Sequence, residues 1–459
     1  MHSSSDTSPD MTQQSTPVYY EDSRLVPLWR NWLDVAGSMP LDKWLKNTLR
    51  PAAKSGARAQ PDYSPADRAS LSLALFSALR FQQLAAALEF AYHKQDASIN
   101  WDEWDLAWHQ RDLQSITPVA FWYWVQLRVG GDQAKKNQAQ LRDAEERRAF
   151  FNRIALQINP DSAFYFLWYG LRPQWKALLH ERQQVSGWDD KTLQEFIQQQ
   201  VTTPPLWLRV QKKGDVKTIC ARLQNQGVNV ILDEQQHLLA QGGAGIQGTA
   251  EYKEGLVEVQ DLASQYIAQS VAAGPGQKVW DACAGAGGKT LAIGARMNNK
   301  GALVATDLHA YKLEELKRRV KRADIFNVRV FTWDGTEPLR LPKEVAQQKG
   351  FDWVLLDAPC SSAGTWRRNP DARWRFDEDD TKELIQLQRQ LLTNIVPAVR
   401  ENGHLVYATC SWQVSENERQ VEWLLQQFPQ FSLQSQRLVG VPELDSDTMF
   451  VAVLQRNNR

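Results

Sequence analysis

The sequence predicts an α/β fold: a parallel sheet with helices on both faces, preceded by a small α/β segment and a helical N-terminal domain. Three observations carry this. From about residue 251 onward, short apolar runs alternate with helical stretches, the pattern of successive βα units. Before residue 200, apolar residues recur at helical intervals, as from Leu71 to Leu88. Between the two, Pro204-Pro205 breaks the helical texture, and Leu206-Trp207-Leu208-Arg209-Val210 then alternates like a strand.

The elements follow in order. Residues 1–20 are mostly Ser, Thr, Gln, Asp and Pro and read as a disordered tail. Residues 21–200 read as the helical domain. There Ser64 can cap a helix, Pro65 suits its first turn and Asp67 suits the positive end of its dipole. Trp101, Trp104 and Trp108 share one helical face. The tryptophans of this half either pack between helices or stack on bases. Residues 203–250 read as the small α/β segment, with strands Leu206–Val210 and Val228–Leu232 flanking a helix over Lys217–Gln226 that carries Cys220. Residues 251–459 hold the main sheet, with strands at Val279-Trp280, Ala302–Thr306, Val328–Phe331, Trp353–Leu356 and Leu405–Ala408.

Composition narrows the possibilities. The 53 basic and 53 acidic residues cancel, which excludes a protein that coats nucleic acid by charge alone but leaves local basic patches open. The cysteines Cys220, Cys283, Cys360 and Cys410 are far apart, and the seven histidines do not gather with them, so no metal site is expected. So few cysteines in so long a chain point to a reducing compartment. The first residues show no basic and apolar targeting pattern, and no run of 18 apolar residues occurs; the expectation is a cytoplasmic protein without a membrane span.

In such a fold ligands bind at the carboxyl ends of the strands. After the first strand of the main sheet comes Asp281-Ala282-Cys283-Ala284-Gly285-Ala286-Gly287-Gly288-Lys289-Thr290, a turn in which a ligand can approach the backbone. A P-loop would need glycine where Cys283 stands, and a dinucleotide turn would need one where Thr290 stands. The remaining pattern is that of methyltransferases: an acid, here Asp281, followed by alternating small residues. Asp307 ends the second strand, 20 residues past Gly287, and suits ribose hydroxyls. Asp334 follows the third strand and suits an adenine amino group.

The fourth strand ends in Asp357-Ala358-Pro359-Cys360 and the fifth in Ala408-Thr409-Cys410-Ser411. A free cysteine is ordinarily a small core residue. Two on one rim beside a ligand loop point instead to thiol chemistry. Carbon 5 of cytosine is a poor nucleophile; a thiolate adding to carbon 6 makes it reactive, and cysteine both attacks well and leaves again. Asp357 could accept the thiol proton or bind the cytosine edge.

Three segments together resemble the RNA (cytosine-5)-methyltransferase family, bacterial small-subunit ribosomal RNA enzymes above all. They are Cys283 to Thr290, Asp357-Ala358-Pro359-Cys360-Ser361-Ser362-Ala363-Gly364, and Tyr407-Ala408-Thr409-Cys410-Ser411. The resemblance covers roughly residues 205–459. Gly285-Ala286 replaces the Ala-Pro usual in the family's loop. The helical half resembles the RNA-binding domain of some bacterial relatives, on Asp67-Arg68-Ala69 and the apolar run after it. The resemblance implies a Rossmann-like domain that uses S-adenosyl-L-methionine to methylate carbon 5 of a cytosine in RNA, ribosomal RNA in particular. It implies Cys410 as nucleophile and Cys360 as the residue assisting release. It implies cofactor contacts from Cys283, Ala284, Gly285, Ala286, Gly287, Gly288 and Lys289, and from Asp307, Asp334 and Asp357. In DNA cytosine-5 enzymes the Pro-Cys cysteine attacks instead, which would nominate Cys360.

Arg367, Arg368, Arg373 and Arg375, interleaved with Trp366 and Trp374, follow the Pro-Cys motif and are the expected RNA contacts. The run Lys317 to Arg322 is either a solvated helix face or a phosphate contact. Ser415 and Glu418 read as a capping box for the helix after Cys410. Two alternatives stay open: a DNA cytosine-5 methyltransferase, and a non-catalytic RNA-binding ribosome-assembly factor.

Overall fold

Ser64 and Asp67 cap each other. Ser64 Oγ accepts from the Asp67 N–H, and Asp67 Oδ2 accepts from the Ser64 N–H, each at 3.1 Å. The helix Pro65–Lys94 therefore begins where the sequence expects it. The computed structural model describes residues 18–20, 22–36, 38–50, 63–94, 99–130, 141–211, 214–241 and 245–458. Of the tail expected over residues 1–20, all but the last three residues lie outside that set.

The chain forms two units: residues 1–95 with 110–154, and residues 96–109 with 155–459. The first is helical. Its longest helix has 30 residues, enough length and apolar content to cross a membrane, yet most of its apolar window is buried. It packs against the helix Pro118–Gly130. Trp29 stacks on Phe121 at 5.3 Å, and Trp124 donates to Glu89 at 2.7 Å. Trp29, Trp32, Trp122 and Trp124 are all buried, so these tryptophans are packing residues rather than a base-stacking surface.

The second unit holds two sheets. The small one has β1 (Leu206–Val210), β2 (Val230–Leu232), β3 (Leu238–Ala240) and β4 (Val257–Val259) in the order β2-β3-β1-β4, all pairs antiparallel. The helix Val216–Asn225 packs on it and buries Cys220. The large sheet has β5 (Lys278–Asp281), β6 (Ala302–Asp307), β7 (Val328–Thr332), β8 (Phe351–Asp357), β9 (Val399–Thr409), β10 (Phe431–Val439) and β11 (Met449–Arg456). Its order is β10-β11-β9-β8-β5-β6-β7. The five strands from β9 to β7 are parallel, as expected, and β10 and β11 add an antiparallel edge. The chain runs outward from β5 through β6 to β7, then returns to β8 on the other side of β5. The carboxyl end of β5 is thus the switch point at which such sheets bind ligands.

Residues 155–200, read from sequence as part of the helical domain, cluster with the sheets, as do residues 96–109. The helices Ala163–Trp168, Lys176–Ser186 and Asp190–Gln199 share a core with Trp366 and Trp412. Trp175 meets Trp366 at 4.7 Å, and Phe196 meets Trp412 at 6.1 Å. A buried aromatic ring covers roughly 150–250 Å². At about 25 cal/mol per Å² each contributes about 4–6 kcal/mol before entropic costs. Arg182 adds a buried tie, donating to the Trp412 carbonyl at 2.6 Å and to Glu418 at 2.8 Å. These helices therefore brace the loop that follows Cys410.

Candidate active site

The glycine-rich turn leaves β5 at Asp281. Gly285 and Gly287 take φ of +55° and +88°, a region costly for side chains. A Cβ on Gly287 would also stand 2.7 Å from Leu316 Cγ, whereas Gly285 faces open space. The Gly285 N–H donates to Asp307 Oδ2 at 3.0 Å, joining the turn to the end of β6. Arg319 donates to the Ala286 carbonyl at 2.8 Å and pairs with buried Glu258 of β4 at 3.0 Å. Most of the run Lys317 to Arg322 is thereby accounted for: Arg319 and Arg322 hold Glu258, while Lys317 and Arg318 pair along their own helix.

Asp281 is buried. Its Oδ2 accepts from Thr290 Oγ1 at 2.6 Å, while its Oδ1 has no hydrogen-bond partner among the described residues. Burial pushes its carboxyl up to about 7, against the opposing Thr290 hydrogen bond. The folded value then lies above the ordinary 3.8. Its favourable contribution is present in full below that ordinary value and is lost as pH rises through about 7. Across that window stability should fall by on the order of 4 kcal/mol. In Asp281→Asn this part of the decline should vanish, as thermal melts between those pH values would show; parallel profiles for the two proteins would refute it.

Lys289, in the first turn of the helix Gly288–Met297, reaches Asp357 at the end of β8 at 2.7 Å. Burial opposes the charge on Lys289, but Asp357 outweighs it and the ammonium is held above its usual range. Asp307 is buried and its Oδ1 accepts from the His309 N–H at 2.8 Å. Asp334 lies two residues past β7, exposed, and accepts from the Thr336 N–H at 3.0 Å. That hydrogen bond holds its carboxyl below the usual range.

The register β8 against β9 pairs Asp357 with Ala408, so both cysteine loops leave the same edge of the sheet. Cys360 and Cys410 are partly exposed, with their sulfurs 3.4 Å apart. Cys410 Sγ also lies 3.5 Å from Ser362 Oγ. The pair is electrostatically lopsided. The hydrogen bond with Cys360 lowers the Cys410 thiol, and Ser362 and Lys289 add to this against burial and Asp357. The same contact with Cys410, then burial and Glu416, raises Cys360. Of the two, Cys410 is therefore the thiol that ionises more readily. Cys283, in the turn, is pushed up by burial.

The turn, Asp281, Asp307 and the Lys289–Asp357 pair gather at the ends of β5, β6 and β8, and the two thiols follow the ends of β8 and β9 on the same rim. The arginines do not join them. Contrary to expectation, Arg367 and Arg373 are buried and unable to face RNA. Arg367 donates to the Ser446 carbonyl at 2.9 Å, Thr202 at 2.7 Å and Asp445 at 2.6 Å. Arg373 donates to the carbonyls of Gly170 and Gln200. Arg373 is drawn inward by the backbone of the 155–200 segment, and Arg367 by Thr202 and the loop at Asp445-Ser446. Arg368 bridges Asp261 and Asp447 at 3.0 and 3.2 Å, and Arg375 pairs with Asp371. Both keep about a third of the side chain exposed.

Two further residues escaped the sequence reading. The expected capping box at Ser415 is not formed: Val414–Glu416 is a short 3-10 turn, and the helix starts at Glu418. Asn417 and Glu416 instead turn inward. Asn417 accepts from Thr409 Oγ1 at 2.5 Å and donates to the Ser411 carbonyl at 2.9 Å, clamping the residues on either side of Cys410. Among the described residues no group of His, Cys, Asp and Glu is arranged to hold a metal.

Residues 268–455 match the family described as 16S rRNA methyltransferase RsmB/F. The chain is 32% identical over 261 residues to ribosomal RNA small subunit methyltransferase B of Pasteurella multocida, covering 56% of this chain and 57% of that one. It is 31% identical over 300 residues to the protein of that name from Klebsiella pneumoniae, covering 63% and 67%. With the first of these the match spans little more than half the relative's length. The structure of NSun6 from Pyrococcus horikoshii shares the fold, with a TM-score of 0.53, 15% identity and coverage of 62% of this chain and 98% of that one.

Proposed function

We propose, since this chain belongs to the 16S rRNA methyltransferase RsmB/F family, that it methylates carbon 5 of a cytosine in ribosomal RNA, in the cytoplasm, using S-adenosyl-L-methionine. The observation that carries the reading is the pair of thiols 3.4 Å apart at adjacent strand ends, on the rim where Lys289 of the glycine-rich turn pairs with Asp357.

The residues of the turn fit the cofactor. The open space at Gly285, the unpartnered Asp281 Oδ1 and the carboxylates at successive strand ends suit a ligand with hydroxyl and amino donors and a cationic end. We assign its binding to residues 283–289, Asp307, Asp334 and Asp357. When bound, it supplies an electrophilic methyl group on a sulfonium sulfur.

Cys410 then acts on the RNA. Its thiolate adds to carbon 6 of the cytosine, forming a carbon–sulfur bond and making carbon 5 nucleophilic. Asp357 takes the thiol proton of Cys410 or holds the cytosine's N3 and amino edge. Once carbon 5 carries the methyl group it must lose its proton, and the carbon–sulfur bond must break with its electron pair returning to Cys410. The nearness of Cys360 to that sulfur supports a role for it in moving the proton at this step. The base must leave its stack to expose carbon 6, which costs a few kcal/mol unless it already lies in a loop.

The test is to incubate the protein with methyl-labelled S-adenosylmethionine, unmethylated ribosomal RNA and, separately, DNA. Label is expected in 5-methylcytidine from RNA alone. Label in DNA instead would support the DNA reading. RNA binding with no label in either would support the assembly-factor reading.

A further inference from the structure

A fully buried carboxylate, used in none of the steps above, lies under the thiol loops. Glu416 lies six residues beyond Cys410, and both its oxygens are occupied. Oε1 accepts from the Ser361 backbone N–H at 2.9 Å and from Gln388 Nε2 at 3.1 Å. Oε2 accepts from Ser361 Oγ at 2.5 Å and from Gln413 Nε2 at 3.2 Å. Its own carbonyl accepts from the Tyr407 hydroxyl at 2.7 Å. All four donors to the carboxylate are neutral groups. Burying an ionised carboxylate is costly unless hydrogen bonds replace its water, and four of them do so here. A carboxylate held this way also fixes its donors.

Those donors come from both thiol loops. Ser361 follows Cys360 directly, and Gln413 lies three residues past Cys410. Gln388, on the helix Glu378–Ile395, also donates to the Pro359 carbonyl at 3.0 Å, just before Cys360. Gln413 closes the circuit by donating to Ser361 Oγ at 2.8 Å.

We infer that Glu416 is a positioning residue for the two thiols: by tying together the loops that carry them it sets the separation of Cys360 from Cys410. Its negative charge disfavours a thiolate at Cys360. The other charged groups facing the pair, Lys289 and Asp357, lie on the Cys410 side. The inference rests on Cys410 being the nucleophile.

The experiment measures covalent adduct formation with an RNA carrying 5-fluorocytosine, across a pH series, for the wild-type full chain, Glu416→Gln and Ser361→Ala. Fluorine blocks the final elimination, so the adduct persists. Glu416→Gln keeps the volume and one acceptor but removes the charge. Its adduct rate should fall roughly 10–100-fold, with KM for S-adenosylmethionine unchanged. Losing a negative charge eases ionisation of the pair, so the midpoint of its pH profile should move to lower pH. Ser361→Ala removes one donor and no charge, and should give a smaller loss without a midpoint shift. A wild-type rate and midpoint in Glu416→Gln would overturn the inference. If Glu416→Gln fails to fold, a wild-type rate in Ser361→Ala would overturn it. A wild-type protein that forms no adduct would overturn the functional reading, and this inference with it.

Discussion

Replacing Cys410 by alanine is expected to abolish methyl transfer and, with it, every covalent complex between protein and RNA. The side chain is small and partly exposed, so the fold should survive and melting should change little. What is lost is the group that activates carbon 5. Without a bond to carbon 6 the ring is a poor nucleophile, and no neighbour replaces the thiolate: Ser362, 3.5 Å away, is a hydroxyl that stays protonated at neutral pH. Removal of a covalent nucleophile costs on the order of 10³-fold or more in turnover. Binding of S-adenosylmethionine should be preserved, because the turn at residues 283–289 is held by its own contacts to Asp307 and Arg319. Labelled methyl incorporation and equilibrium binding of the cofactor, measured side by side, check both halves. Turnover within tenfold of wild type would remove Cys410 from the mechanism.

Cys360→Ala should do the opposite to the adduct. Here Cys410 can still attack, but the step that releases product lacks the group beside the departing sulfur. Loss of a general acid or base typically costs about 10²–10⁴-fold. We expect one methyl transferred per protein, followed by a stall, with protein–RNA complex visible on a denaturing gel without any trapping base. The alanine also removes the hydrogen bond that lowers the Cys410 thiol, so the first transfer should need a higher pH than in the wild type. Full turnover with no accumulated complex would show that release does not depend on Cys360.

Much of this centre is legible in the sequence because it is local. The turn at 281–290, the acid ending β6 and the two cysteines each sit within a few residues of a strand end, and a parallel sheet brings all strand ends to one rim. What is not legible is what lies on top of that rim. Arg367 and Arg373 look like RNA contacts in sequence because arginine beside tryptophan is the pattern of a base-binding surface. Only the folded chain shows Gly170 and Gln200 enclosing Arg373, and Thr202, Asp445 and Ser446 enclosing Arg367. The tie from Arg182 to Glu418 spans 236 positions, and no local pattern announces such a contact. Glu416 was hidden for a different reason. Ser415 and Glu418 carry the spacing of a helix cap, and that spacing drew the helix start three residues too early, which puts Glu416 in the first turn of a helix rather than between the two thiol loops.

Which of the two thiols bonds to the RNA is read by mapping that bond itself. Wild-type protein is trapped on RNA carrying 5-fluorocytosine with S-adenosylmethionine present, digested, and the nucleotide-bearing peptide sequenced by mass spectrometry. The nucleotide is expected on Cys410, in the peptide containing Tyr407-Ala408-Thr409-Cys410. A nucleotide on Cys360 instead would contradict Cys410 as the nucleophile, and would mean that the less readily ionised thiol of the pair attacks the ring.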